Sequence, residues 1–373
     1  MTNPDSSHDR PAAASGPLTG VRIVEFAAIG PGPFACMMLS DMGADVVTID
    51  RPGRKPGDST QIVARGRTVV TADLKNSVDR ESVLSLLEKA DVLIEGYRPG
   101  VMERLGLGPT EVARRNPRLV YGRMTGWGQE GPLASSAGHD INFIAITGAL
   151  HAIGTADSGP VPPLNLVGDY GGGSLYLLVG VLAALHEAQK SGRGQVVDAA
   201  ITDGVINMMS NCVGRSLRGS FSEQRGENML DGGHPYYGVY ETSDGSHVAL
   251  GAIEPQFFAE FCRRSGVPEA LHDAQHDAAR WPQLRDALVR IFKSRTQVEW
   301  ARQLSGTDAC LAPVLPLSEA ARHPHNVARH AFVEVGGVAH PAPAPRFSRT
   351  PSAIQGAAPI DAVPLVDIAK RWT

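Results

Sequence analysis

Between residues 20 and 128, short β-rich runs alternate with segments of helical spacing, and that alternation leaves few folds open. "VRIVEF" leads through the loop "AIGPGP" into "PFACMMLSDMGA", whose apolar residues recur at helical spacing up to Gly43, and then into "DVVTID". "RTVVTADL", "ADVLIEGY" and "RLVYGRMTGWG" repeat the strand pattern, with the helix-period run "SVDRESVLSLLEKA" between the first two. Strands joined through helices pair in parallel, so the fold class is α/β with a doubly wound, Rossmann-like sheet. "GSLYLLVGVLAALHEAQKSGRG" is the longest apolar segment. Gly180 interrupts it and polar residues end it, so it reads as a buried helix and not a membrane span.

The pattern changes near residue 215. Tyrosine-rich alternation, the turn "SDG" and "HVALGAI" predict an antiparallel unit, with a helix at "WPQLRDALVRIFKS". The expected organisation is a disordered tail over 1–17, a large domain over 18–214, a smaller α+β domain over 215–330, and a Pro-rich segment, 331–373, that crosses back over the large domain. A length of 373 residues suits two domains.

The net charge of −4 comes from interspersed residues of both signs, so no basic field points to nucleic acid. Cys36, Cys212, Cys262 and Cys310 are far apart and form no C-x-x-C; they fit a reducing, cytoplasmic setting. Cys310 reads as a core residue. The N-terminal stretch has no apolar signal region. The tract "HPHNVARH" lacks acidic or cysteine partners and reads as surface, so no metal is expected.

The first loop, "AIGPGP", lacks G-x-G-x-x-G, and Pro31 and Pro33 remove backbone donors that a pyrophosphate needs. NAD is therefore disfavoured. Asp50 ends the second strand, but Arg51 follows it, which suits a phosphate monoester better than a free ribose. Arg54, Lys55, Arg65, Arg67, Lys75, Arg98 and Arg104 also sit near strand ends. They read either as the edge of an anionic-nucleotide site or as solvated surface charge.

Three segments carry titratable groups beside glycine or proline. "AGHDINF" holds His139 and Asp140; "NLVGDYGGGS" holds Asp169 before three glycines; "GAIEPQFF" holds Glu254. An acid at a glycine-rich helix start can accept a proton or attack an electrophile, with backbone N–H groups there to meet an oxyanion. On local grounds Asp169 also reads as a helix N-cap, His139 as an ordinary half-buried histidine, and Glu254 as a surface residue. His234 in "GGHPYY" reads as an acyl-pocket residue or a structural one.

Taken together these segments resemble the type III CoA-transferase superfamily and, within it, the α-methylacyl-CoA racemases. "EGYRPGVMERLGLG" and "GDYGGGS" carry the likeness to the superfamily; "GHDIN" and "GAIEPQF" carry it to the racemase branch; the likeness spans residues 17 to about 350. It implies an interlocked homodimer, with an acyl-CoA thioester as substrate and CoA lying along Arg51, Leu74, Lys75, Arg98 and Arg104. It implies that His139 and Asp169 are the two bases, that Glu254 reaches the histidine from the other subunit, and that Asp140 mostly holds structure. No metal or redox cofactor and no membrane are expected. Inverting the weakly acidic α-carbon of a thioester needs a base on one face and an acid on the other, and an imidazole and a carboxyl with matched pKa values suit that. The alternative activity is CoA transfer, in which Asp169 attacks the thioester to give a mixed anhydride and then an enzyme–CoA thioester.

Overall fold

The computed structural model describes residues 15–53 and 57–372. The tail expected over 1–17 thus lies largely outside the described residues, as do Arg54 and Lys55. The described chain parts into two compact units. One holds the residues up to Thr147, then Leu164–Met208 and the chain from Arg329; the other holds Gly148–Pro163 and Met209–Ala328. The stretch Gly148–Pro163 was expected in the large domain. Its ties run instead to the 223–226 loop: Arg225 donates to the His151 carbonyl at 2.8 Å, and His151 Nε2 meets the Glu223 carbonyl at 3.1 Å.

The first unit is built on the expected parallel sheet. Strands β1 (Arg22–Phe26), β2 (Asp45–Asp50), β3 (Arg67–Thr71), β4 (Val92–Glu95), β5 (Val120–Thr125) and β6 (Val196–Ala200) lie in the order β3-β2-β1-β4-β5-β6, every pair parallel. The central strands are covered on both faces, so they read as unbroken apolar runs: Ile23, Val24, Val46, Val47, Val92 and Leu93 are fully buried. The chain builds outward from β1 to β3, then returns to place β4 on the other side of β1. The strand order reverses there, and the loops after β1 and β4 diverge.

The helix Pro31–Asp41 has proline in its first position, where no backbone donor is missed. Ser77–Leu87 is capped by Asn76, whose side chain accepts from Val78 N–H at 2.8 Å. The apolar helix Leu175–Ser191 packs on β5, β6 and Pro31–Asp41. With the turn before it, Leu166–Ser191, it is long and apolar enough to cross a membrane by length and composition, with a mean hydropathy of 1.4. Gly180 has a packing reason: a Cβ there would lie 2.5 Å from Val197 on β6.

Arg65 and Arg67 are not part of a ligand edge. Arg65 is buried and grips Asp41 with two donors, at 3.1 and 2.5 Å, while a third reaches the Pro341 carbonyl at 2.7 Å. Arg67 pairs with buried Glu25 at 2.7 Å and donates to the carbonyls of Pro33 and Val63. Pro341 ends a hairpin, β10 (Phe332–Val335) with β11 (Val338–Pro341), and Trp372 donates to Asp45 at 2.7 Å, so the chain from Arg329 is stitched onto the first unit at both ends.

The second unit carries an antiparallel sheet, β7 (Tyr237–Glu241), β8 (His247–Gly251) and β9 (Leu311–Val314). The β7–β8 turn uses Gly245 at φ +78°, as "SDG" predicts. Helices Pro255–Ser265 and Trp281–Phe292 close its core around Phe258, Phe261, Phe292 and Trp300. Cys310 is not in that core. It is exposed, in a left-handed conformation with φ +52° just before β9.

Candidate active site

The carboxyl ends of β1, β4 and β5 open onto a cleft of about 750 Å³ at the point where strand order reverses. Its walls are Ile29–Pro31 after β1, Gly96–Pro99 after β4, Met124–Trp127 at the end of β5, Ser136–Asp140 with Asn142 and Phe143, and Asn165 with Asp169. An open α/β sheet binds ligands at such a position.

His139 is the exposed residue just before the helix Asp140–Ala145. Its N–H donates to Asn142 Oδ1 at 3.1 Å, and its carbonyl accepts from the N–H groups of Asn142 (2.8 Å) and Phe143 (3.2 Å). The Phe143 ring fixes the helix start. It lies against Gly126 and Gly138, where a Cβ would come within 2.0 and 2.6 Å of it, and it meets Trp127 edge-on at 4.8 Å. Gly138 is therefore there for the aromatic ring, and the ring holds His139 at the cleft. Buried Trp127 Nε1 has no partner among the described residues.

Asp169 lies in the same cleft. It is not an N-cap but part of a π-helical turn, Leu166–Ser174, that runs straight into Leu175–Ser191. Such turns recur at functional sites. Its N–H donates to Asp140 Oδ1 at 2.6 Å. Gly30, at φ +74°, lies against its carboxylate: a Cβ there would be 2.9 Å from Asp169 Oδ2. Burial raises the Asp169 pKa above the ordinary aspartate value, and the neighbouring Asp140 charge raises it further; a hydrogen bond from Asn165 and the proximity of His139 work the other way.

The three glycines after Asp169 were expected to bring backbone donors to a ligand. Each also has a packing reason. A Cβ on Gly172 would meet Val205 at 2.4 Å, and one on Gly204 would fall 2.0 Å from the Gly172 carbonyl oxygen, so the helix Ile201–Met208 lies directly on this turn.

The residues expected to hold CoA follow the carboxyl ends of three strands. Leu74 and Lys75 follow β3, Arg51 follows β2, and Arg98 and Arg104 follow β4. Arg98 is exposed and lines the cleft. Arg51, Lys75 and Arg104 are exposed outside its walls, and Leu74 is half-buried against the core. Glu254 belongs to the second unit, exposed, at the start of Pro255–Ser265. Within that unit the Cys310 pKa is raised, first by the partial desolvation of its exposed thiol and then by the Glu254 charge. His234 is engaged there too, with Nδ1 2.7 Å from the Tyr236 hydroxyl and its ring 4.2 Å from that of Trp281. Among the described residues no three His, Cys, Asp or Glu side chains are grouped to hold a metal ion.

Asp140, Asn165, Gly30 and Trp127 join this site without having been singled out as reacting or binding groups. Asp140 carried a signal, since it follows His139 directly. The other three carried none that local pattern reveals.

The sequence profile of CoA-transferase family III matches residues 18–361. The chain belongs to this family. Among its relatives is an α-methylacyl-CoA racemase of Mus musculus, 42% identical over 336 residues, covering 90% of this chain and 87% of that protein. The α-methylacyl-CoA racemase of Homo sapiens is 40% identical over 337 residues, with the same coverage of 90% and 87%. Among solved structures of the family, Rv3272 of Mycobacterium tuberculosis superposes with a TM-score of 0.79 at 26% identity, over 94% of this chain and 98% of that one.

Proposed function

We propose that this member of CoA-transferase family III is a racemase or epimerase of 2-methylacyl-CoA thioesters. His139 and Asp169 exchange the α-proton. One takes it, its electron pair moves into the thioester as an enolate, and the other returns a proton to the opposite face. The observation that carries this reading is that an imidazole and a carboxyl of raised pKa, from separate segments, line one cleft at the switch point of the sheet. A carboxyl whose proton affinity is raised toward that of an imidazole suits a pair that must each hold and release a proton in turn. The racemases at 40–42% identity support the same activity.

The CoA moiety lies along Arg51, Leu74, Lys75, Arg98 and Arg104, with the 3′-phosphate near Arg51. The functional assembly is an interlocked homodimer in which Glu254 of one chain reaches His139 of the other. The chemistry uses no cofactor beyond the acyl-CoA itself. The protein works in the cytoplasm, a setting that suits its four free cysteines.

The test is deuterium wash-in: a 2-methylacyl-CoA is incubated in D2O and α-exchange followed by NMR. Exchange above background, cut by about 10²-fold or more in His139→Ala and Asp169→Ala, is expected; no exchange in the wild type rejects the reading. Family membership also favours CoA transfer through an Asp169 acyl anhydride, the alternative activity. Trapping a covalent adduct on Asp169 with hydroxylamine during turnover supports that alternative.

A further inference from the structure

We propose that Asp140 is a positioning residue for Asp169: its carboxylate grips the Asp169 main chain and keeps a negative charge beside the Asp169 carboxyl. The inference rests on the two-base reading of the cleft and assigns a second job to the residue next to His139.

Three observations carry it. The Asp140 Oδ1 to Asp169 N distance is 2.6 Å, short even for a charge-assisted bond. The approach is built in, because a Cβ at buried Gly168 would stand 2.2 Å from that same oxygen, so only glycine lets the carboxylate reach the turn. And Asp169 sits in the first turn of a π-helical segment, where N–H groups lack partners inside the helix; Asp140 supplies one from another helix, as a cap would.

The charges around Asp169 give the grip an electrostatic consequence. The 140–145 helix and its start present Asp140 and His139. The first turn of the 31–41 helix, with Gly30 before it, carries no charge, and Asn165 is neutral. The 201–208 helix carries Asp203, and the loop after β4 brings Arg98 to the same cleft. Of the neighbouring charges acting on Asp169, Asp140 raises its proton affinity and His139 lowers it. A free carboxyl and a free imidazole titrate far apart. A fixed anion beside the carboxyl narrows that gap, which is what a pair exchanging protons across one carbon requires.

Asp140→Asn separates the two roles, since the amide keeps an oxygen to accept from the Asp169 N–H but carries no charge. In the pH profile of kcat/KM for α-deuterium exchange, the acidic limb is expected to move to lower pH in this variant, so that in mild acid it keeps a severalfold larger share of its plateau rate than the wild type. Asp140→Ala removes charge and grip together; its limb is expected to move the same way, and its plateau to fall further than that of Asp140→Asn. A merely structural Asp140 would lower the plateau without moving the limb.

A second readout needs no turnover. Carboxyl-13C NMR of aspartate-labelled protein, with the Asp169 resonance identified by its loss in Asp169→Asn, is expected to give a lower titration midpoint in either Asp140 variant. An unmoved midpoint in a folded variant overturns the proposal, whatever the activity. Absence of α-exchange in the wild type overturns the racemase reading and leaves the NMR comparison to decide Asp140.

Discussion

Gly30 stands against the carboxylate of Asp169, so close that a single added methyl group would lie 2.9 Å from Oδ2. Two constraints meet at this glycine. Its φ of +74° with ψ of −120° is a backbone conformation that L residues rarely adopt, which costs an alanine about 1–3 kcal/mol, and the space a Cβ needs is held by the Asp169 carboxylate. Gly30→Ala should therefore hurt turnover far more than folding. We expect the melting temperature to drop by only a few degrees, while kcat falls on the order of a hundredfold, the cost of moving a catalytic group by about 1 Å. Exchange kinetics beside a thermal melt check this; a variant that loses both in proportion would show that Gly30 matters only to the fold.

Asp169 also predicts a trade between stability and activity. Its folded pKa is raised, by burial first and by Asp140 second, above the value of 3.8 for an ordinary aspartate. A carboxyl shifted in that direction stabilises the fold fully only below its unfolded value, and that contribution is lost as pH rises through the folded value. At neutral pH the ionised group is thus a burden. Asp169→Asn should raise the melting temperature modestly at pH 7, with the gain shrinking as pH is lowered past the raised value toward 3.8, while α-exchange is lost. Melts at a series of pH values decide it.

Arg98 is the one predicted CoA contact that lines the cleft. It is exposed and touches neither His139 nor Asp169 through any hydrogen bond, so its loss should weaken binding without disturbing proton transfer. Arg98→Ala is expected to raise KM about tenfold, the scale of one charge-assisted hydrogen bond, with kcat nearly unchanged, and to reduce the salt dependence of kcat/KM. A large drop in kcat with KM constant would place Arg98 in the chemistry instead.

The sheet was legible because strands buried on both faces leave unbroken apolar runs, and because the helices between them keep a different period. Arg65 and Arg51 show where this kind of legibility stops. Each is an arginine near a strand end with glycine or proline close by. One is buried on Asp41 and Pro341, partners 24 and 276 residues away; the other is exposed. Nothing within a local window separates them. In the site, His139 and Asp169 stood out because glycines flank them, and they do share a cleft, but those glycines answer to Phe143, to Asp140 and to the helix at Gly204. The π-helical turn and the Asp140 contact arise from packing between segments 29 residues apart, which no local propensity encodes.

His340 makes the last prediction. It is fully buried on β11, and neither ring nitrogen has a hydrogen-bond partner among the described residues. Its pKa is lowered from 6.5 by burial first and by Arg65 next, with Asp41 pulling it back up. For a group with a depressed folded value, the stability it contributes is present above the unfolded value and is lost as pH falls through that value toward the folded one. The hairpin carrying His340 also supplies the Pro341 carbonyl to Arg65, so charging the imidazole sets a second cation beside the buried guanidinium and strains the attachment of the returning chain. Wild-type stability should thus decline as the pH drops below about 6.5. An apolar residue of similar size gives up no hydrogen bond there, so His340→Phe is expected to match the wild type near pH 8 and to show a flatter decline between pH 7 and pH 5. Urea unfolding midpoints across that range measure the slope; equal slopes for the two proteins would mean that the acid sensitivity of the fold lies in other groups.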